Sequence, residues 1–447
     1  MSTPSNVVSL NTSPARIIAI VHRVKKTVDN EARPTLVAIS LPGEDGFNCL
    51  TLDTEREEFD FITSSGKFTE TGLQKGDLVI TTLGGSGDRM SYAMSRALVG
   101  LDGSLYRIPG FHLKDFRDTP EFLELNEDAR EDMHLLHILY QTKKENFFEC
   151  RIRDREIIRI SELYRQFKDA QLERMKCAGR LRARLVGSLY LSDEGGYPEG
   201  KIEDWFDEQK ANDPIFCALE SEEKKAKSEL ERALNLTRIA ELFDNVTGCG
   251  PSIIGGLIMS IGDIRRFAGP EKLTSYLGLA VLKDDFTKAK KGETIVNGVF
   301  PRQRRGMRTS WNRYGRQTLY LLSDQFNRRP ESEWGKRFIA NKKYYRDKHT
   351  FPVLIETVKE GGAGRTFALQ PGTFEKKGAK YLVLNDVGDM IEVRGKLRYY
   401  DGHIHRMAVW KTLREFVHWL YGAWTEFEQA EYVPKEAKQK RRLKKAA

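Results

Sequence analysis

Residues Val246–Ala280, VTGCGPSIIGGLIMSIGDIRRFAGPEKLTSYLGLA, hold the spacing richest in chemical content. Gly248 and Gly250 flank Cys249 and form a turn that a Cβ would obstruct. Pro251 suits the first turn of a helix, where its missing N–H costs nothing. Ile253, Ile254, Leu257, Ile258 and Ile261 recur at helical spacing and predict one buried face. Gly262 ends that helix, and Asp263 is placed to cap a short second one. A glycine turn before a helix N-terminus presents backbone N–H groups, which can hold a phosphate.

The pattern is that of a helix-hairpin-helix, a clamp on the DNA backbone, and its bland alternative is an ordinary helical turn. Downstream lie Lys290, Lys291, Arg302, Arg304, Arg305, Arg308, Arg313 and Arg316, with Phe300, Trp311 and Tyr314 among them. Cations attract phosphate and rings stack on bases, so this stretch reads as a nucleic-acid surface rather than a solvated loop. Gly84, Gly85 and Gly87 form a glycine loop without the Lys-Ser/Thr of a nucleotide cradle, which makes it a structural turn. Glu131, His134 and His137 share helical spacing and could be taken for metal ligands. Leu135, Leu136 and Leu139 form the apolar face beside them, and the histidines are expected to flank it.

The bounds agree with a polyanionic partner. The 447 residues are enough for two or three domains, and the net charge is +9. With 40% hydrophobic and 31% charged residues the chain is globular rather than disordered. Cys49, Cys150, Cys177, Cys217 and Cys249 are scattered, with no C-x-x-C pair, which argues for a reducing compartment and against a zinc or disulfide framework. No apolar run reaches membrane length and no signal peptide stands at the start, so a cytoplasmic protein associated with nucleic acid is expected.

Several elements must position these groups. Arg16–Val24, Thr35–Leu41, Phe47–Leu52 and Gly76–Leu83 read as strands, followed by a helix from the glycine loop, then a strand and turn in SLYRIPGFHLKDF. That order is the order of a ribonuclease H-like (RuvC-like) fold. Ile157–Leu189 and Phe216–Leu242 have the 3–4 periodicity of long amphipathic helices, predicting an antiparallel coiled-coil hairpin. A small sheet is expected between Tyr345 and Asp401, then a helix over His405–Trp424 and a basic tail over Lys435–Lys445.

The motifs GCGP…IGDIRRFAGPEKLTSYLGLA, RRG, YGRQTLYLL and HRMAVWKTLREFVHWLYGAW resemble those of insertion-sequence 110 family transposases, closely over Leu242–Gln325 and less so over His403–Trp424. The resemblance implies a RuvC-like domain whose four acidic residues gather divalent metal, Mg²⁺, and a serine nucleophile in the C-terminal domain. Two hard cations there would activate a nucleophile and stabilise the leaving oxygen of a phosphodiester. The chain departs from this pattern. Val21 or His22 stands where the first Asp belongs, and Gly84 where the Glu belongs. Asp128 and Glu131, expected one helical face apart, remain as the residual acidic pair. Phe286 falls at the nucleophile position, leaving Thr287 and Ser310 as candidates.

The expected fold is thus α/β plus α. Residues 1–150 form an RNase H-like domain, 151–240 a coiled-coil linker, and 241–345 a helical DNA-binding domain with a helix-hairpin-helix-like unit. Residues 346–401 form a β-rich insertion, 402–430 the closing helix and 431–447 the tail. The expected partners are DNA, a structured guide RNA and further copies of the chain, as a dimer or tetramer. The expected function is nucleic-acid binding related to transposases, RNA-guided and with catalysis lost or weakened. The alternative is an active transposase that uses Thr287 or Ser310.

Overall fold

The computed structural model describes residues 16–26, 31–41, 46–85, 87–193, 202–280, 309, 311–357, 365–378, 380–385 and 387–432. The chain divides into two compact units, residues 1–165 with 432–447, and residues 166–431.

The first unit is built on a mixed six-stranded sheet. Strands β1 (Ile17–Val21), β2 (Thr35–Ser40) and β3 (Asn48–Leu52) run antiparallel, Ala19 facing Ala38 and Ala38 facing Cys49. Helix α1 (Glu55–Ile62) follows, then β4 (Leu78–Leu83), which pairs parallel with β1. Helix α2 (Gly87–Gly100) leads to β5 (Ser104–Pro109), parallel to β4. Helices α3 (Gly110–Arg117), α4 (Pro120–Leu123) and α5 (Asp132–Thr142) precede β6 (Phe148–Glu149), antiparallel to β5. The strand order is β3-β2-β1-β4-β5-β6.

Both faces of the sheet are covered, which is why β1 is an unbroken apolar run and β4 opens on one, Leu78–Ile80. Ile18, Ile20, Val37, Val79 and Leu105 pack with Phe61 of α1 and Met90, Met94 and Leu98 of α2. Ala19, Val21, Ala38, Ile80 and Ile108 face Leu113 and Phe116 of α3 and Leu135, Leu136 and Leu139 of α5.

His134 and His137 belong to that second layer. His137 Nε2 lies 3.2 Å from the Ala38 carbonyl, and His134 Nδ1 is hydrogen-bonded to the Asp128 carbonyl at 2.5 Å. Burial pushes the His137 pKa down from 6.5 to about 4. A histidine whose folded pKa is depressed contributes its full stability above the unfolded pKa and loses it as pH falls. Acidification from pH 7.5 to pH 4 is therefore expected to remove about 3 kcal/mol through this residue. Unfolding by urea at both pH values, on the natural protein and on His137→Gln, checks it; equal pH dependence in the two would remove His137 as the source.

The chain passes to the second unit within α6 (Ile152–Tyr190), a 39-residue helix. Helices α7 (Ile202–Asn212) and α8 (Pro214–Leu236) follow, α8 capped by the Asp213 carboxylate on the Phe216 N–H at 2.7 Å. Glu223 of α8 accepts from Gln171 at 3.0 Å and from Arg174, both on α6. Next come α9 (Pro251–Ile261), α10 (Pro270–Tyr276), α11 (Arg313–Arg328) and α12 (Glu333–Lys348). Strands β7 (Val353–Glu356), β8 (Thr366–Ala368), β9 (Phe374–Lys377), β10 (Lys380–Leu384), β11 (Met390–Val393) and β12 (Gly395–Arg398) form two three-stranded sheets, β11-β10-β9 and β12-β7-β8. Leu354, Leu369, Val383 and Val393 fill the core of this insertion. Helix α13 (Asp401–Gln429) then packs against α10 and α12, while α11 packs against α9. Aromatic rings hold the bundle: Trp334 lies 5.1 Å from Phe416 and 5.8 Å from Phe326. No helix among the described residues is long and apolar enough to cross a membrane.

Candidate nucleic-acid interface

The acidic pair sits differently from the expectation. Asp128 opens a 3-10 turn (Asp128–Arg130), and Glu131 is extended at φ −65°, ψ 142°, as the cap residue before α5. The two carboxylates are exposed and do not share a helix face. The reason is where α5 begins. Asp132, its first residue, is paired with Arg33 at 3.5 Å and with Arg117, so the helix starts one residue after Glu131.

The ends of β1 and β4 carry a different group of side chains. Val21 closes β1 with His22 next, and Gly84 follows β4. A Cβ on Gly87, the first residue of α2, would stand 3.3 Å from His22 Cβ, so the two strand ends converge at this histidine. His22 Nε2 is 3.6 Å from Glu58 Oε1. Glu58 is already engaged: Arg23 donates to both oxygens at 3.0 and 2.6 Å, and the Thr35 hydroxyl donates to Oε1 at 2.6 Å. Burial holds the His22 imidazole below its ordinary pKa, against the opposing pull of Glu58. One nitrogen and one carboxylate bound by a guanidinium do not make the oxygen-rich cradle that two Mg²⁺ ions require. Among the described residues no group of three or more His, Cys, Asp or Glu is placed to hold a metal ion.

The glycine turn forms where the sequence puts it. Gly248 adopts φ +90°, and a Cβ there would meet Gln325 Cβ of α11 at 2.8 Å, so glycine permits both the turn and the close approach. Within the turn, Cys249, Gly250 and Ile253 donate their N–H groups to the carbonyls of Val246, Gly248 and Gly250. Three of the donors near this helix start are therefore bonded inside the turn. Asp263 caps the following 3-10 turn (Ile264–Arg266), accepting from the Arg265 N–H at 2.9 Å.

Beyond α10 the polypeptide is pinned on both sides of the basic segment. Leu279 is fully buried, its N–H bonded to the Thr274 carbonyl at 3.0 Å. On the far side the Asn312 N–H donates to the Tyr276 carbonyl at 2.7 Å, and its side-chain amide donates to Tyr276 Oη at 2.9 Å. Asn312 Oδ1 also caps α11 through the Gly315 N–H. Lys290, Lys291, Arg302, Arg304, Arg305, Arg308, Thr287 and Ser310 lie outside the described residues.

Arg313 and Arg316 are described, on the first turn of α11. The Arg316 guanidinium contacts two indoles, 5.2 Å from Trp311 and 4.8 Å from Trp410 of α13. Arg266 is placed similarly, 4.5 Å from Tyr276 and 4.7 Å from Phe267. Tyr314 and Tyr320 project from α11, 60% and 52% exposed. Trp410 and Tyr320 were not among the residues the sequence singles out. Their signal is spacing across 90 positions, which no local window contains.

Residues 240–338 match the model of the family described as Transposase IS116/IS110/IS902. That stretch of the chain is similar to the IS110-family transposase domain. No curated protein matches the chain significantly. The transposase match spans the Gly248 turn, α9, α10, the basic segment, α11 and the first turns of α12. The β-rich insertion and α13 lie beyond it, although α13 supplies Trp410 to the cluster around Arg316.

Proposed function

We propose that this protein is a DNA-binding relative of mobile-element transposases whose strand-cutting chemistry is lost or weakened. The observation that carries the reading is the pairing of a transposase domain over residues 240–338 with His22 and Gly84 at the converging strand ends of the first unit. The order β3-β2-β1-β4-β5, with β1, β4 and β5 parallel, supports the RNase H-like assignment. In that fold the carboxylates would stand at those strand ends, where this chain has imidazole and glycine. Guidance by a structured RNA follows from the family resemblance, and a dimer or tetramer from the long amphipathic α6 and α8. The element order turn-helix-turn-helix from Gly248 to Tyr276 matches a backbone clamp of helix-hairpin-helix type, while the N–H groups of Cys249, Gly250 and Ile253 are spent inside the turn.

The test is a binding and cleavage assay on candidate element ends, with Mg²⁺ or Mn²⁺ and any co-purifying RNA. Binding without strand cleavage or covalent protein–DNA adduct is expected. Arg304→Glu with Arg305→Glu should weaken binding about tenfold or more and flatten its salt dependence, because each lost phosphate contact removes about 0.9 from the slope. An adduct that disappears in Thr287→Ala or Ser310→Ala would overturn the proposal in favour of an active transposase. Affinity that ignores salt would remove the nucleic-acid reading altogether.

A further inference from the structure

We infer that α11 and α13 form a stacking platform for unpaired bases of single-stranded DNA, centred on Tyr320. The inference rests on the nucleic-acid reading above and specifies which form of DNA this surface takes.

Arg313, Arg316, Gln317 and Tyr320 are spaced i, i+3, i+4 and i+7 and so share one face of α11. Tyr320 is 52% exposed, with its ring 6.5 Å from Trp410 in an edge-to-face arrangement. Trp410 also lies 4.8 Å from the Arg316 guanidinium, and Trp311 lies 5.2 Å from the same cation. The result is a row of alternating rings and cation that ends in a half-exposed tyrosine. The row is fixed by packing, because α11 is capped by Asn312 and α13 is anchored through Phe416 and Leu420 in the bundle core.

The charge around the row suits a polyanion. Arg313 lies on the same face of α11 as Arg316, one turn before it. Two acids on these helices are engaged: Asp324 is paired with Arg328 at 2.8 Å, and Glu415 accepts from Asn341 at 3.1 Å. The ring nearest Tyr320 is the Trp410 indole, which also packs on the Arg316 guanidinium, so the aromatic contact here is coupled to a cation. A double helix offers phosphates and groove edges, but its base faces are covered by their neighbours. A half-exposed ring on a cationic helix face therefore complements a strand whose bases are unpaired, where stacking adds to backbone attraction.

The experiment uses the full-length protein, a labelled oligothymidine and a labelled duplex of equal length, with binding followed by fluorescence anisotropy. Tyr320→Ala should weaken oligothymidine binding about tenfold, the scale of one lost base–ring stack, and leave duplex binding unchanged. Tyr320→Phe keeps the ring and should bind as the natural protein does. Arg313→Glu should weaken both ligands and lower both salt slopes. Equal losses on both DNA forms in Tyr320→Ala, no loss on either, or a changed oligomeric state by light scattering would each overturn the inference. A natural protein that binds duplex while Tyr320→Ala is silent defeats the platform alone. A natural protein that binds neither DNA defeats the nucleic-acid reading and the platform with it.

Discussion

Replacing Asp77 by alanine is expected to destabilise the first unit by about 3–5 kcal/mol, the cost of stranding a buried charge. Asp77 has no exposed surface and Arg16 is only 7% exposed. The guanidinium donates to both carboxylate oxygens, at 2.9 and 2.7 Å, and to the Gly72 carbonyl at 2.6 Å. The carboxylate also takes the Gln74 N–H at 2.6 Å. These two residues precede β1 and β4, and the Leu78 N–H donates to the Arg16 carbonyl, so the pair sits at the start of the parallel register. Without the carboxylate, the cation keeps one carbonyl and must draw water under the sheet. Replacing both partners, as Arg16→Met with Asp77→Leu, should recover most of the loss, because an apolar pair of similar size has no charge to desolvate. Urea unfolding of the three proteins measures this. A loss below about 1 kcal/mol in Asp77→Ala would mean that the guanidinium reaches solvent, contrary to its burial.

The Arg16–Asp77 pair and the His22–Glu58 contacts lie at opposite ends of β1. At the start of β1 and β4 the charges are buried and mutually satisfied. At their far ends, His22, Arg23, Thr35 and Glu58 form a second set of polar contacts around one carboxylate. Arg23 also reaches Glu55 at 2.7 Å, so that guanidinium bridges two acids of α1. A carboxylate held this way is committed to the fold and has little lone-pair capacity left for a metal ion.

Much of this architecture was legible because local chemistry dictated it. Every residue of IIAIV is apolar and LVITTL opens on three apolar residues, with the buried Thr81 hydroxyl donating to the Ile20 carbonyl at 2.8 Å; a strand buried on both faces reads this way. Gly250-Pro251 announced the start of α9, and Gly262 its end at φ +66°. Helix α1 was missed, although its signal was present: the Thr54 hydroxyl accepts from the Glu57 N–H, and Glu57 reaches back to the Asp53 N–H at 2.8 Å. The segment reads as charged surface because only Glu58, Phe61 and Ile62 of its eight residues are buried. The acidic run NEDARED was misplaced for the opposite reason. Its i,i+3 spacing suits a helix, but tertiary pairing of Asp132 with Arg33 and Arg117 sets the helix start later. The six strands after Lys348 were legible as a small sheet, but their division into two sheets depends on cross-strand pairing that no periodicity encodes. The same holds for the row from Trp311 to Trp410, whose members meet only when α13 returns to the bundle.

Gly278→Val should destabilise the second unit by about 4 kcal/mol and dislodge Trp311. Gly278 has φ +72°, a conformation that costs a side-chain-bearing residue about 1–3 kcal/mol. Its Cβ would stand 2.6 Å from Trp311 Cδ1, 2.7 Å from Trp311 Cγ and 3.1 Å from Arg316 Cδ. Overpacking of that kind typically adds about 1–3 kcal/mol, and a β-branched side chain has no rotamer that avoids the indole. The clash propagates along a defined route. Trp311 cannot stay against Gly278 and Arg316 together, and Arg316 holds the face of Trp410. Displacing Trp311 also pulls on Asn312, whose backbone and amide are both tied to Tyr276. Two readouts distinguish this from a general loss of fold. Tryptophan fluorescence should shift to longer wavelength below the unfolding transition, as Trp311 enters water. Urea unfolding should show a lowered midpoint for the transition that reports on residues 166–431, with the first unit unaffected. Gly278→Ala should produce the same changes at smaller amplitude, since it keeps the positive φ penalty and the Cβ contact but lacks the branch. An unshifted emission spectrum together with a wild-type midpoint in Gly278→Val would show that the Trp311 ring does not rest on this glycine.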